Sequence, residues 1–256
     1  MIFRLLLLAA VLVGAGSAVV LQSRGDADAD ADAPATPAAA AATANHPAPV
    51  ASHRKAAWSL PAAPAEPHHL IGRVEQTIRT TAGKVHPWTA LGSQTWLLIV
   101  RHRGHVGWAL VPGDPRSHLA RVDLRRLELR WTRVEVEVDV SSLTLSVKDG
   151  ARTLGTFPVA AGLPTSPTPR GRFSVTDRVN FQSGGPYGDF ALGLSAHQTA
   201  GLPDGWTGGD QVAIHGTDNP SSIGAYASLG CVRVGTAALR LLQKTVPLGA
   251  PVVVHG

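Results

Sequence analysis

The chain contains one cysteine, and its position relative to a histidine is typical of nucleophilic catalysis. Cys231 follows a glycine, and His215 ends an apolar run 16 residues earlier. A thiol with a pKa of about 8.5 is mostly protonated at neutral pH, so a nucleophilic cysteine needs a base or a cation beside it, most often histidine. We therefore predict that His215 activates Cys231 and lowers the pKa of its thiol. The spacing alone leaves a second interpretation open, an inert cysteine packed in the core.

The residue before the cysteine also bears on this chemistry. Because Gly230 has no Cβ, a substrate carbonyl can approach the backbone N–H groups around Cys231, which could form an oxyanion site. A zinc site made of His197, His215 and Cys231 is disfavoured, since the short-spaced ligand pairs of zinc sites are absent. We expect no metal and no cofactor.

The second half of the chain is predicted to be mainly β with one helix. Valine alternates with charged residues from 134 to 140, which predicts a strand with one apolar face. Asp149-Gly150 marks a hairpin turn. Thr236 is predicted to be the N-cap of a helix that ends before Pro247. Further strands are predicted at 143–147, 152–159, 172–177, 211–215 and 251–255.

Residues 180–209 are rich in glycine, with eight in thirty residues. This stretch contains Tyr187 and His197, and we predict a mobile loop that covers the substrate. An ordinary long connection is the alternative.

Composition limits the possible classes of protein. The chain has 256 residues, 44% hydrophobic and 16% charged, without the repeats of a collagen or a coiled-coil rod. Residues 1–24 contain a single long apolar run after Arg4, which predicts a cleaved signal peptide or an N-terminal membrane anchor. Residues 25–69, rich in Ala, Pro and Asp, are predicted to be a disordered linker. The folded part would then lie outside the cytoplasm, in the cell wall.

Residues 70–131 are predicted to form a small β-barrel of short strands separated by turns. This region resembles the SH3-like modules of bacterial cell-wall enzymes through its Trp-centred strands. It carries 10 basic and 4 acidic side chains, a local charge of +6 that favours an anionic wall polymer. A solvated basic face is the alternative. No nucleic-acid partner is expected, because no recognised motif accompanies the charge.

The segment around the histidine and the cysteine resembles a known family signature. Residues 214–224 read IHGTDNPSSIG and residues 228–234 read SLGCVRV. With TPRGRF at 168–173 and GPYG at 185–188, the sequence resembles the L,D-transpeptidase catalytic domain of the YkuD type over nearly all of residues 132–255. It is similar to exported actinobacterial members. The resemblance implies a β-sandwich-type catalytic domain over residues 132–256, with one main helix.

The resemblance also implies roles for single residues. Cys231 would be the nucleophile, His215 its base, and the backbone carbonyl of Gly216 the third member of the triad. Ser228 is expected to orient the site by hydrogen bonding, and Arg233 to bind a substrate carboxylate or to form a structural ion pair.

Three further residues, Gly230, Tyr187 and His197, are assigned to substrate or oxyanion binding. Leu229 departs from the family pattern, because most members have His at this position. Leu can neither donate a hydrogen bond nor polarise the site, which puts the rate of the reaction in doubt.

The implied activity is formation of 3→3 cross-links between peptidoglycan stem peptides through a Cys231 thioester. Two alternatives use the same acyl-enzyme: L,D-carboxypeptidase activity and exchange of the terminal D-amino acid. A third is a wall-binding scaffold whose activity was lost through Leu229. Carbapenem-type β-lactams are expected to be inhibitors.

Overall fold

The structure is a computed structural model that describes residues 58–114, 118–182, 185–205 and 209–256. The predicted signal or anchor at 1–24 and most of the predicted linker lie outside these residues. Within them, no helix is both long enough and apolar enough to cross a membrane.

The N-terminal part of the described chain is a small antiparallel β structure. Its strands are β1 (His69–Val74), β2 (Ile78–Thr80), β3 (Gly83–Val85), β4 (Trp96–Arg103), β5 (Val106–Leu110), β6 (Leu119–Asp123) and β7 (Leu127–Thr132). Five of them form a sheet in the order β6-β5-β4-β1-β7, and β2 and β3 form a separate hairpin. Buried apolar residues such as Val74, Leu97 and Leu124 form its core. The resemblance to SH3-like modules stays a prediction.

The C-terminal part contains nine strands and one helix. These are β8 (Val134–Asp139), β9 (Thr144–Asp149), β10 (Arg152–Gly162), β11 (Gly171–Asn180), β12 (Phe190–His197), β13 (Gln211–His215), β14 (Tyr226–Ser228), β15 (Val232–Val234), α1 (Thr236–Thr245) and β16 (Pro251–His255). The strand order is β14-β10-β15-β13-β12-β11-β16-β8-β9, and β9 also pairs with β10. The pairing of β9 with β10 therefore closes a ring of eight strands, which leaves out only β14. Within this ring, β10 and β11 each pair with strands of both layers. The predicted mainly-β fold is confirmed.

The predicted strand with one apolar face is confirmed in β8. Val136 and Val138 are fully buried in the core between the layers, whereas Glu135 and Glu137 lie on the outer face. Full burial of a valine contributes about 1.5 kcal/mol or more relative to an exposed side chain. The alternation of apolar and charged residues thus places the apolar face of β8 against the core.

The start of the helix differs from the prediction. Helix α1 begins at Thr236 itself, and Gly235 is the N-cap, with no side-chain capping bond. One face of α1, with Ala238, Leu239 and Leu242, is buried against the core. Packing of this apolar face, more than capping, therefore stabilises the helix.

The predicted substrate-covering loop at 180–209 is wrong as a single element. It contains β12, whose first seven residues are all buried, and β12 pairs with β11 on one side and β13 on the other. The sequence FALGLSA at 190–196 is the near-continuous apolar run of a strand buried on both faces. Its glycine and serine obscure this pattern in the sequence.

Candidate active site

Two adjacent parallel strands bring the predicted catalytic residues together. In the register of β13 and β15, His215 lies opposite Arg233 and Ile214 lies opposite Val232. Because side chains alternate along a strand, Cys231 lies on the same face as His215 and Arg233. All three side chains line one cavity of about 310 Å³.

The imidazole of His215 is oriented by the backbone that follows it. Its Nδ1 lies 2.5 Å from the carbonyl oxygen of Gly216. A carbonyl can only accept, so Nδ1 carries the proton and Nε2 keeps its lone pair. Burial, with a smaller contribution from the charge of Arg233, lowers the pKa of His215 to about 4, although the hydrogen bond with Gly216 opposes the shift. At neutral pH, His215 is therefore an uncharged base with a fixed tautomer.

The thiol of Cys231 is also held in its neutral form. Burial raises its pKa, and a hydrogen bond with the backbone of Ala213 and the charge of Arg233 oppose this in part. The predicted lowering of the pKa of Cys231 is therefore wrong, because burial raises this pKa and a neutral imidazole supplies no positive charge to oppose it. The site holds an uncharged thiol and an uncharged imidazole.

Arg233 faces the cavity without an acidic partner. No carboxylate within the described part of the chain lies at ion-pair distance from it, and its Nε is buried without a hydrogen-bond partner. A buried unsatisfied guanidinium N–H is costly unless a ligand accepts it. Of the two predicted roles, binding of a substrate anion is the one that this arrangement favours.

Ser228 stabilises the turn that leads into Cys231 through two hydrogen bonds. Its Oγ donates to the carbonyl oxygen of Cys231 at 2.5 Å and accepts the N–H of Gly230 at 3.1 Å. The hydroxyl thus orients the backbone, as expected for a hydrogen-bonding residue. The N–H of Gly230 is consequently engaged and does not point freely toward an oxyanion.

Gly230 has a conformational role that differs from the predicted one. Its φ is +115°, a backbone conformation that residues with a Cβ rarely adopt. A Cβ at this position would also overlap the side-chain amide of Gln198. Gln198 is buried and donates from Nε2 to the carbonyls of Leu229, at 3.2 Å, and Pro167, at 2.9 Å. Sequence reasoning missed Gln198, which belongs to no motif and simply follows β12.

Of the remaining predicted residues, the structure brings only one to the histidine. The ring of Tyr187 lies 4.9 Å from that of His215, edge to face, and stacks on Phe181 at 5.5 Å. His197 instead lines a second cavity of about 260 Å³ with Trp88 and other residues. Leu229 lines the cavity of Cys231.

The environment of His197 gives no support to a metal site. Its Nδ1 donates to Asp210 at 3.0 Å, and it does not share a cavity with Cys231. Across the four described ranges, no group of three or more His, Cys, Asp or Glu residues could hold a metal ion.

The rest of the signature forms the loop that follows β13. The N–H of Asn219 donates to Thr217 Oγ1 at 3.0 Å, its side-chain oxygen accepts from Ser221 Oγ at 2.6 Å, and its carbonyl accepts from Ser222 Oγ at 2.7 Å. This part of the signature therefore shapes the chain that leads from His215 to β14.

Comparison with known proteins relates the C-terminal part of the chain to one family. Residues 133–254 match the family model of YkuD, the L,D-transpeptidase catalytic domain, which confirms the resemblance seen in the sequence. The protein YkuD of Bacillus subtilis (strain 168), described as a candidate L,D-transpeptidase, is 33% identical over 122 residues. That match covers 48% of this chain and 65% of YkuD, so the chain spans less than two thirds of this curated relative.

Solved structures of L,D-transpeptidases are also similar. One from Mycobacterium smegmatis shows 16% identity and a TM-score of 0.40, over 71% of this chain and 99% of that one. Another, solved in complex with imipenem, shows 17% identity and a TM-score of 0.40, over 70% of this chain and 98% of that one.

Proposed function

We propose that this protein is a peptidoglycan L,D-transpeptidase that forms 3→3 cross-links through a thioester on Cys231. The observation that carries the proposal is the bond from His215 Nδ1 to the carbonyl of Gly216, in a cavity that also holds the thiol. It leaves Nε2 as the only ring nitrogen able to take a proton. We also propose that the enzyme works outside the cytoplasm, since its substrate is in the wall.

In the acylation step, both neutral groups change charge together. As the sulfur of Cys231 attacks the carbonyl between the diamino acid and D-Ala, His215 Nε2 takes the thiol proton. The C–N bond then breaks, and His215 returns the proton to the amine of the leaving D-Ala. A thioester remains, and the energy of the peptide bond is conserved in it.

Arg233 supplies the cation that the donor substrate requires. The leaving D-Ala ends in a carboxylate, and a guanidinium binds a carboxylate through two parallel hydrogen bonds. The unpartnered Nε of Arg233, in the cavity of Cys231, suits this role. The carboxylate would also place the preceding peptide bond near the thiol.

In the second step, the side-chain amine of a neighbouring stem attacks the thioester, and His215 Nε2 takes the proton that the amine loses. The C–S bond then breaks, and His215 gives that proton to the leaving sulfur of Cys231. Attack by water would instead give a tripeptide, the product of an L,D-carboxypeptidase, and attack by a D-amino acid would give exchange. The difference is the nucleophile, so the products separate these activities.

The test is incubation of the full chain with a tetrapeptide-stem muropeptide, followed by mass spectrometry of the products. We expect a cross-linked dimer with the wild type and none with Cys231→Ala, whose thermal unfolding should be unchanged. Tripeptide without dimer would support the carboxypeptidase, and the absence of any product would support the scaffold. Dimer formation by Cys231→Ala would refute the assigned nucleophile.

A carbapenem provides an independent readout of the same nucleophile. Its strained ring carbonyl mimics the acyl donor, so the intact mass of the wild type should rise by the mass of one inhibitor. Cys231→Ala should show no increase. A wild type that stays unlabelled after long incubation would contradict the proposed function.

A further inference from the structure

We propose that the small N-terminal sheet binds a polyol-phosphate or sugar-phosphate polymer through Arg101, Trp108 and Arg121, which we call the Arg-Trp-Arg row. This site is separate from the cavity of Cys231 and goes beyond the proposed reaction. Only the choice of a wall polymer as the natural occupant rests on the proposed function.

The pairing of three strands creates the row. Arg101 in β4 lies opposite Trp108 in β5, and Trp108 lies opposite Arg121 in β6. Residues directly opposite each other point to the same face of a sheet, so the three side chains are neighbours. Neighbouring strands are about 4.8 Å apart, which places the two arginine backbones roughly 10 Å apart on either side of the indole.

The guanidinium group of Arg101 is already placed on the aromatic ring. Its central carbon lies 4.6 Å from the centroid of the Trp108 ring. A cation at this distance is attracted to the ring face, which holds the side chain in place before any ligand arrives.

The charges of the row are not neutralised within the described residues. Other arginines of the same region are paired: Arg73 with Glu75 and Glu128, Arg125 with Asp123, and Arg130 with Glu128. No carboxylate of the ranges 58–114, 118–182, 185–205 and 209–256 forms an ion pair with Arg101 or Arg121. The positive charges of Arg101 and Arg121 are therefore available to an anion.

A groove of about 290 Å³ extends the row at the edge of the sheet. It is lined by Arg121, Arg79 and His105, and also by Asp123, whose carboxylate is held by Arg125. The β2–β3 hairpin forms one wall, because the N–H of Arg121 donates to Thr81 Oγ1 at 2.8 Å and the N–H of Thr81 donates to the carbonyl of Arg121 at 3.3 Å. Arg79, like the two arginines of the row, has no ion pair with any residue of the described ranges.

This arrangement matches a chain in which phosphates alternate with carbon-rich units. Guanidinium groups bind phosphate oxygens through bidentate hydrogen bonds. The indole between them offers an apolar surface to the C–H groups of a polyol or a sugar. A polymer that carries only carboxylates would interact with the charges but not with the ring. If the row were only a solvated basic face, neither the charges nor the ring would bind a ligand.

The experiment measures binding of purified, lipid-free poly(glycerol phosphate) to the full chain as a function of salt concentration. We expect Arg101→Gln/Arg121→Gln to weaken binding at least tenfold and to reduce the salt dependence. The matched control is Arg152→Gln/Arg240→Gln, which removes the same charge from exposed positions elsewhere and should change binding less than twofold. Trp108→Ala should weaken binding several-fold without changing the salt dependence.

Arg101→Lys/Arg121→Lys keeps the charge and the fold but loses the bidentate geometry, so we expect an intermediate loss. All variants should retain wild-type acylation by a carbapenem, which separates this proposal from the proposed reaction. Equal losses in the row and control variants, or equal affinity for poly-glutamate, would overturn the proposal. Tighter binding of single-stranded DNA than of poly(glycerol phosphate) would overturn it in favour of a nucleic-acid site.

Discussion

At the scale of residues, the cysteine and the histidine form a neutral pair. Burial raises the pKa of Cys231 and lowers the pKa of His215 to about 4, so neither group is charged at neutral pH. In the proposed reaction, the thiolate would therefore form only as the proton moves to His215 during attack.

The pH dependence of thiol alkylation tests whether burial holds Cys231 in its neutral form. Because Cys231 is the only cysteine, iodoacetamide reports on one site. We expect the midpoint of the rate against pH to lie above that of a free thiol, since burial disfavours the thiolate. Arg233→Gln should raise the midpoint further by removing a positive charge, whereas Lys244→Gln, on α1, should not change it. A wild-type midpoint below that of a free thiol would restore the lowered thiol pKa predicted from the sequence.

Gln198 acts on the cysteine through the backbone. In Gln198→Ala the carbonyls of Leu229 and Pro167 lose their donor, which should cost about 1–3 kcal/mol of stability. Because the Leu229–Gly230 turn leads into Cys231, carbapenem acylation measured well below the unfolding temperature should also slow. Gln243→Ala, which removes an exposed bond to Asn180, is the control and should leave both values nearly unchanged. An unchanged acylation rate in Gln198→Ala would reduce Gln198 to a purely structural residue.

At the scale of elements, two glycines let the 185–189 turn lie against the backbone after β13. A Cβ on Gly188 would come within 2.8 Å of the Cα of Gly216, and the φ of Gly188 is +64°. A Cβ on Gly216 would approach Leu239 at 2.9 Å. The carbonyl that orients His215 is therefore held between this turn and helix α1.

We predict that Gly188→Ala displaces that carbonyl. The positive φ alone should cost about 1–2 kcal/mol, and the overlap with Gly216 adds to it. Loss of the fixed tautomer of His215 should slow acylation by a carbapenem. Gly185→Ala is a matched control in the same turn, because a Cβ there meets nothing within 4 Å and its φ is not positive. Equal rates in the two variants would show that the turn does not support His215.

At the scale of the whole molecule, a buried carboxylate connects the N-terminal sheet to the catalytic fold. Asp177 in β11 accepts hydrogen bonds from Thr89, from Thr176 at 2.7 Å and from Gln211 Nε2 at 3.2 Å. Nearby, the N–H of Arg178 donates to Ser93 Oγ at 3.1 Å. Gln211 lines both the cavity beside Asp177 and the cavity of Cys231, so this contact adjoins the candidate active site.

Thr89→Val tests the importance of this connection. It preserves shape but removes one donor from a buried carboxylate, which should lower stability by about 1–3 kcal/mol and lower the unfolding temperature. Thr153→Val, at an exposed position of β10, should have little effect. An unchanged unfolding temperature in Thr89→Val would mean that the two sheets are held together mainly by apolar packing, such as that around Gly249, where an added Cβ would meet Ile71 and Trp96.

Local patterns in the sequence determine much of this molecule. The alternating valines of β8, the Asp149-Gly150 turn and the last strand at 251–255 follow from side-chain period and turn chemistry, which act between near neighbours. The signature around His215 and Cys231 predicts the family resemblance that the match of residues 133–254 to the family model confirms, because it preserves residue types at fixed spacing.

Only the tertiary structure decides what surrounds those residues. The start of α1 at Thr236, the strand β12 inside a glycine-rich stretch and the contact of Gln198 with Leu229 all depend on partners distant in sequence. The same holds for the direction of the pKa shift of Cys231. A pKa depends on how completely the folded chain excludes water and where it places the nearest charge, and neither quantity is encoded in the spacing of a cysteine and a histidine.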